Sequence, residues 1–196
     1  MRITESQLRR LIREALLTEG AMTPREARLR GLKFKVERRD DYVEISVYEQ
    51  GRKWVGSLSS QAEEDPCSGA WTVDGSYSQI NGLGPLMYDL MIDLIHPHPL
   101  ASDRAEVSPA ARRVWDYYLD QRDDMEVMQL DDLENTLTPV DADNCEQSSA
   151  QIWGDEVAGD EDEWPESPLS KAFMRPVGEG TPLLDELQAM GLITFI

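Results

Sequence analysis

Residues 71–95 read WTVDGSYSQINGLGPLMYDLMIDLI, and the reading of this stretch decides the fold. Trp71 to Ser78 is rich in aromatic and β-branched residues, which predicts a strand. Gln79-Ile80-Asn81-Gly82-Leu83-Gly84 follows as a glycine turn. Beyond it Leu86, Met87, Leu90, Met91, Leu94 and Ile95 recur at helical spacing, so a helix with a wide apolar face is expected to Ile95. Pro85 suits the first turn of that helix, where its missing N–H has no partner in any case. Glycine lets a backbone approach a ligand closely, and a helix N-terminus presents unpaired amides and the positive end of its dipole. Strand, turn and helix together therefore predict a cradle for a pyrophosphate. The plainer alternative is a turn whose glycines serve packing alone.

The turn resembles the acyl-CoA pyrophosphate loop of the GNAT N-acetyltransferase superfamily, Q/R-x-x-G-x-G/A, through Gln79, Gly82 and Gly84. The resemblance implies that Gln79, Ile80, Asn81, Gly82, Leu83 and Gly84 bind acetyl-CoA. Pro85 departs from the family pattern by removing one donor.

Upstream, Leu32 to Val36 alternates apolar and basic residues. Tyr42 to Tyr48 places Val43, Ile45 and Val47 on one face, and Lys53 to Leu58 returns after a turn at residues 49–52. Three antiparallel strands in meander order are expected, with Trp71 to Ser78 as the fourth. GNAT domains resemble this in order, since a meander precedes their central strand. They usually carry one or two helices between the first two strands, where this chain has only the turn Arg38 to Asp41. Glu44, Asp74 and Glu49 are the candidate general bases, because an acid on a central strand can lie near the acceptor amine.

Downstream, Leu100 to Ala105 is a predicted short strand, and Ser108-Pro109 starts a second helix as cap and first residue. This pair resembles the GNAT strand that ends in Ser or Asn and its helix N/S-x-x-A-x-x-x-Y. Ser108, Ala111 and Trp115 occupy those places. The resemblance implies that Ser108 and Ala111 border the pantetheine arm. The family's tyrosine, a general acid, is Trp115 here, and an indole does not supply that proton. Tyr117, Tyr118 or water must substitute, and Tyr118 is preferred by its helical step from Trp115. The His96-Pro97-His98 run reads as a loop in preference to a metal pair, for no carboxylate or thiolate partner is placed beside it.

The chain carries a net charge of −19, which argues against a partner held by phosphate neutralisation. Residues 1–38 are basic on balance, whereas Asp123 to Ser170 holds 16 acids and no Lys or Arg. Residues 131–180 are expected to form an acidic insertion, either a solvated segment or a lip attracting a cationic amine acceptor. Met125 to Leu130 is a candidate strand before it. Thr181 to Met190 is a predicted helix, closed by Gly191, and Leu192 to Ile196 is a strand that could complete the sheet. Cys67 and Cys145 lie far apart without zinc or disulfide-framework spacing, and two free thiols in a reducing compartment are expected. No apolar run reaches membrane-spanning length.

Residues 1–19 spell a basic amphipathic helix, with Leu8, Leu11, Ile12, Ala15 and Leu16 on one face and Arg9, Arg10 and Arg13 on the other. It could dock on its own domain or lie on a membrane surface. It also resembles the prohead-targeting peptides of T4-like tailed phages, which a maturation protease removes after Leu/Ile-x-Glu; Leu17-Thr18-Glu19 has that form. The resemblance implies cleavage after Glu19 and a location in the virion interior or host cytoplasm.

The fold class expected is α/β (α+β). It is a GNAT-like mixed, mostly antiparallel twisted sheet flanked by helices, with an N-terminal helix, a linker at residues 20–31, a core at 32–130, the acidic insertion, and a closing helix and strand at 181–196. The function implied is acetyl transfer from acetyl-CoA to an amine, without nucleic acid or membrane. The alternatives are a catalytically inactive protein of the same fold that binds a virion or host partner, and an acidic mimic of nucleic acid.

Overall fold

The computed structural model describes residues 21–62, 67–104, 106–145, 151–152 and 165–196. The helix and cut site expected at residues 1–19 lie outside them. The described chain is mixed α/β, with an eight-stranded mixed sheet in the order β10-β1-β2-β3-β4-β5-β9-β7.

The meander is as expected. β1 (Leu32–Arg38), β2 (Tyr42–Glu49), β3 (Lys53–Ala62) and β4 (Trp71–Ser78) pair antiparallel in turn. Residues 39–41 close the first hairpin, with Arg39 N–H donating to Tyr42 O at 2.8 Å. Alternation sorts the side chains: Phe34, Val36, Val43, Ile45, Val47, Val55 and Leu58 are buried on one face. β4 then pairs parallel with β5 (Leu100–Ala101), but only at Trp71↔Leu100 and Thr72↔Ala101. From Val73 to Ser78, β4 keeps β3 as its neighbour while β5 has ended. The strand expected over Leu100 to Ala105 is thus two residues long. A second pairing, β6 (Glu106–Val107) with β8 (Gln151–Ile152), lies outside the main sheet.

The closing half of the main sheet contains one strand that the sequence reading placed inside the acidic insertion. β9 (Lys171–Met174) lies between β5 and β7 (Glu126–Gln129), antiparallel to both. β10 (Ile193–Phe195) pairs parallel with β1 and completes the opposite edge.

The helices pack on the apolar face. α1 (Pro24–Leu29) stands in the stretch expected to be a linker. Thr23 and Glu26 form a reciprocal capping box there, and Ala27 is buried. α2 (Leu83–Ile95) covers the sheet with ten buried residues. Gly56 allows its close approach, since a Cβ there would lie 2.8 Å from Tyr77 O and 3.3 Å from Leu83 Cδ2. α3 (Pro109–Gln121) begins at Ser108, whose hydroxyl accepts from Ala111 N–H at 3.2 Å. α4 (Pro182–Ala189) is held to α2 by the buried Asp93. That carboxylate accepts from the amides of Leu183 and Leu184 at 2.8 and 3.0 Å and from Arg175 Nε at 3.0 Å.

The other face is divided. Over β5, β9 and β7 lies a small buried cluster of Cys67, Ala70, Ala101, Leu130, Cys145 and Ala172, tied to the loop at residues 131–145 by Cys67 N–H donating to Asn144 O at 2.8 Å. Cys67 and Cys145 form a disulfide, which corrects the expectation of two free thiols. Spacing alone did not reveal the pair because 78 residues separate them and only the sheet brings them together. Over β1–β4 the outer face is polar, with Trp54 and Tyr77 stacked at 5.1 Å and, among the described residues, 40% and 50% exposed.

Candidate functional site

The parting of β4 from β5 opens a cleft, and both helix N-termini point to it. A cavity of about 340 Å³ is lined by the turn after β4, the start of α2 and the start of α3. A second, of about 480 Å³, shares Ser76, Tyr88, Ser108 and Ala111 with the first and adds Gly75, Asp103 and Trp115.

The turn uses some of its amides within the fold and leaves others without a described partner. Gln79 N–H donates to Val55 O at 2.9 Å, Ile80 N–H to Ser78 Oγ at 3.2 Å, and Leu83 N–H to Ile80 O at 3.2 Å. The amides of Asn81, Gly82 and Gly84 make no hydrogen bond to a described residue outside their own helix. Gly82 is the residue before α2 and has φ of 78°, a conformation that glycine adopts freely. Space is open where a Cβ on Gly84 would sit. Gly82 O accepts from Met22 N–H at 2.9 Å, so the chain entering the fold braces the turn from outside.

The electrostatics of the first cavity contrast with the chain. The protein has 38 acids, yet no Asp or Glu is among the described residues lining this cavity. One cation, Arg113, lines it from α3 and makes no ion pair with a described residue. Its neighbour Arg112 is paired to Asp116 at 3.4 Å. Free amides, two helix N-termini and an unpaired guanidinium together favour an anion.

Of the residues implied by the resemblance, Gln79, Ile80, Asn81, Gly82, Gly84, Ser108 and Ala111 line the first cavity. Leu83 does not; it is fully buried against the sheet. The expected general acid, Tyr118, lines neither cavity. Tyr118 is 1% exposed and its hydroxyl donates to Asp89 Oδ1 at 2.8 Å, beneath the Arg122 guanidinium. Burial, then the charge of Asp89, push its phenol well above the ordinary tyrosine range. Tyr117 lines the cavity instead. The expected base Glu44 lies on the outer side of the sheet and accepts from Tyr42 Oη and Ser46 Oγ, both at 3.0 Å. Asp74 accepts from Ser59 Oγ at 3.3 Å on that side, and Glu49 pairs with Lys53 at 3.6 Å. None of the three lines either cavity.

Three residues that the sequence reading passed over stand in the cleft: Arg113, Asp103 and Tyr88. Tyr88 had a signal, for it lies one helical turn beyond Gly84 and so shares its face. Its hydroxyl donates to Ser76 Oγ at 3.2 Å, and its ring meets Trp115 edge-on at 5.2 Å and 90°. Burial pushes its phenol up to about 12.

Among the described residues no helix is long and apolar enough to cross a membrane. No group of three or more His, Cys, Asp or Glu among them could hold a metal ion. Comparison with protein-family models, with curated proteins and with solved structures finds no match to this chain.

Proposed function

We propose that the cleft binds the diphosphate of acetyl-CoA and that the protein transfers the acetyl group to an amine, as the resemblance to GNAT N-acetyltransferases implies. One observation carries the reading. In a chain of net charge −19, the cavity at the parting of β4 and β5 has no carboxylate among its described lining residues, and it offers Arg113 and three free amides. Asn81, Gly82 and Gly84 would hold the diphosphate through their N–H groups, with Arg113 adding charge across the cavity. Ser108 and Ala111 give the start of α3 a small profile, leaving room for an extended arm. Bound acetyl-CoA supplies an activated acyl carbonyl. Asp103, which lines the second cavity, would take an acceptor's proton in place of Glu44. Calorimetry with acetyl-CoA and with CoA tests the reading: saturable binding is expected, and none near millimolar concentration overturns it.

A partner-binding protein without transferase activity is the second reading. The outer face of β1–β4, with Trp54 and Tyr77 exposed, favours it. That protein would capture a macromolecular partner and acetylate no member of an amine panel. Under either reading we propose that a phage protease cuts after Glu19, in the virion interior or host cytoplasm. Intact mass after co-expression with the protease reads the cut, and an unshortened chain removes it.

A further inference from the structure

The hydroxyls of Tyr88 and Ser76 meet where the two cavities join, and nothing in the acetyl-CoA reading uses them. Tyr88 is 2% exposed, fixed along α2 by its place one turn past Gly84 and braced by the edge-on ring of Trp115. Trp115 is in turn stacked on Phe173 at 5.7 Å, so the phenol has little freedom to swing. Ser76 stands on the part of β4 that β5 leaves unpaired. The 3.2 Å contact between the hydroxyls is long for an O–H···O bond, whose usual length is about 2.7–2.8 Å. A hydroxyl both donates and accepts. Ser76 can therefore rotate to donate to Tyr88 Oη, which frees the phenolic proton for a third group.

We propose that Tyr88 is a carbonyl-binding residue: its O–H, now given to Ser76, turns to donate a hydrogen bond to the carbonyl oxygen of an acyl thioester. The proposal rests on the acetyl-CoA reading of the cleft. Tyr88 would then be a catalytic residue in the electrostatic sense: a donor fixed before reaction, aimed at an oxygen that gains negative charge. It transfers no proton. Burial keeps the phenol neutral to about pH 12, so it is a donor throughout the working range. The role differs from that of the family's tyrosine, which the resemblance assigns to the position held by Trp115.

Isotope-edited infrared spectroscopy of acetyl-CoA labelled with carbon-13 at the carbonyl tests this on the full chain. Bound to the wild type, the carbonyl stretch is expected to move to lower frequency. In Tyr88→Phe it should return to its solution value, with CoA, which lacks the carbonyl, bound within about twofold of wild type. Acetyl-CoA should lose about threefold to tenfold in affinity in that variant, the range of one net hydrogen bond. Ser76→Ala should keep the shift, because the phenol then has no competing acceptor on β4. It provides a second reading should Tyr88→Phe fold poorly. An unchanged shift in Tyr88→Phe, or its loss in Ser76→Ala with Tyr88 present, overturns the proposal and leaves the cleft reading intact. Failure of the wild type to bind either compound removes the cleft reading and the proposal with it.

Discussion

The turn at residues 79–84 and the loop at residues 131–145 are both irregular backbone at the sheet, yet they treat their amides in opposite ways. In the turn, Asn81, Gly82 and Gly84, whose amides have no partner among the described residues, line a cavity whose described lining holds no carboxylate. In the loop, the carboxylates are turned inward onto the backbone. The buried Asp131 accepts from the amides of Leu137 and Thr138, with Thr138 N–H at 2.7 Å. Asp132 accepts from the amides of Glu134 and Thr136 and from the Thr136 hydroxyl. Asp143 accepts from the Thr138 hydroxyl at 2.9 Å. These acids act as the loop's own anions. A place for a ligand is left where the chain supplies no anion of its own.

The largest expected effect separates the two regions by stability. Cys145→Ser opens the bridge between residues 78 apart, and loop-closure entropy predicts a loss of about 4 kcal/mol in urea unfolding. CoA affinity should stay within about twofold, and a parallel loss of binding would break the distinction. Next, the regions should titrate at opposite ends of the pH scale. Tyr88 has a raised phenol, so its contribution is whole below about pH 10 and is lost as pH climbs toward about 12, by roughly 2–3 kcal/mol. Tyr88→Phe should make that alkaline limb shallower, leaving the part that the raised Tyr118 phenol contributes. Hydrogen bonds from Thr136 lower Asp132, so its contribution is present at neutral pH and fades as acid reaches the carboxylate range. Asp132→Asn should make the acid limb shallower and leave the alkaline limb as it is.

Asp131→Ala should cost about 1–3 kcal/mol in denaturant melts, because it strands buried amides, and Asp131→Asn should recover part of this. Arg113→Ala is expected to leave the melt unchanged and to weaken CoA about fivefold to tenfold by calorimetry, at most ~1.4 kcal/mol. The smallest effect belongs to Gly82→Ala. A Cβ at φ of 78° costs about 1 kcal/mol and should lower melting temperature and affinity together.

The meander was legible because its strands alternate and are joined by short turns, so local pattern and pairing coincide. The same holds for α2, whose apolar face has the helical period, and for α3, announced by Ser108-Pro109. β9 was not legible. KAFM is four residues long, follows an acidic stretch, and takes its place only through partners at residues 100–101 and 126–129. α1 could have been found from Thr23 and Glu26 at capping-box spacing. At the site, the turn's glycines pointed to the cleft, but Tyr118 was chosen by helical step alone. Period identifies a face and does not say what lies against it; here Asp89 and Arg122 enclose that face. Arg113 carries its meaning only in three dimensions, through the lack of acids among the described residues that line its cavity.

The bridge from Cys67 to Cys145 has a topological consequence. β4, α2, β5, α3 and β7 all fall between its two ends, so every strand and helix that frames the cleft belongs to one covalent ring. A protease that severs one peptide bond inside the ring linearises it without releasing a fragment. Such a nicked molecule would keep its full mass on a non-reducing gel and divide in two only after a thiol is added.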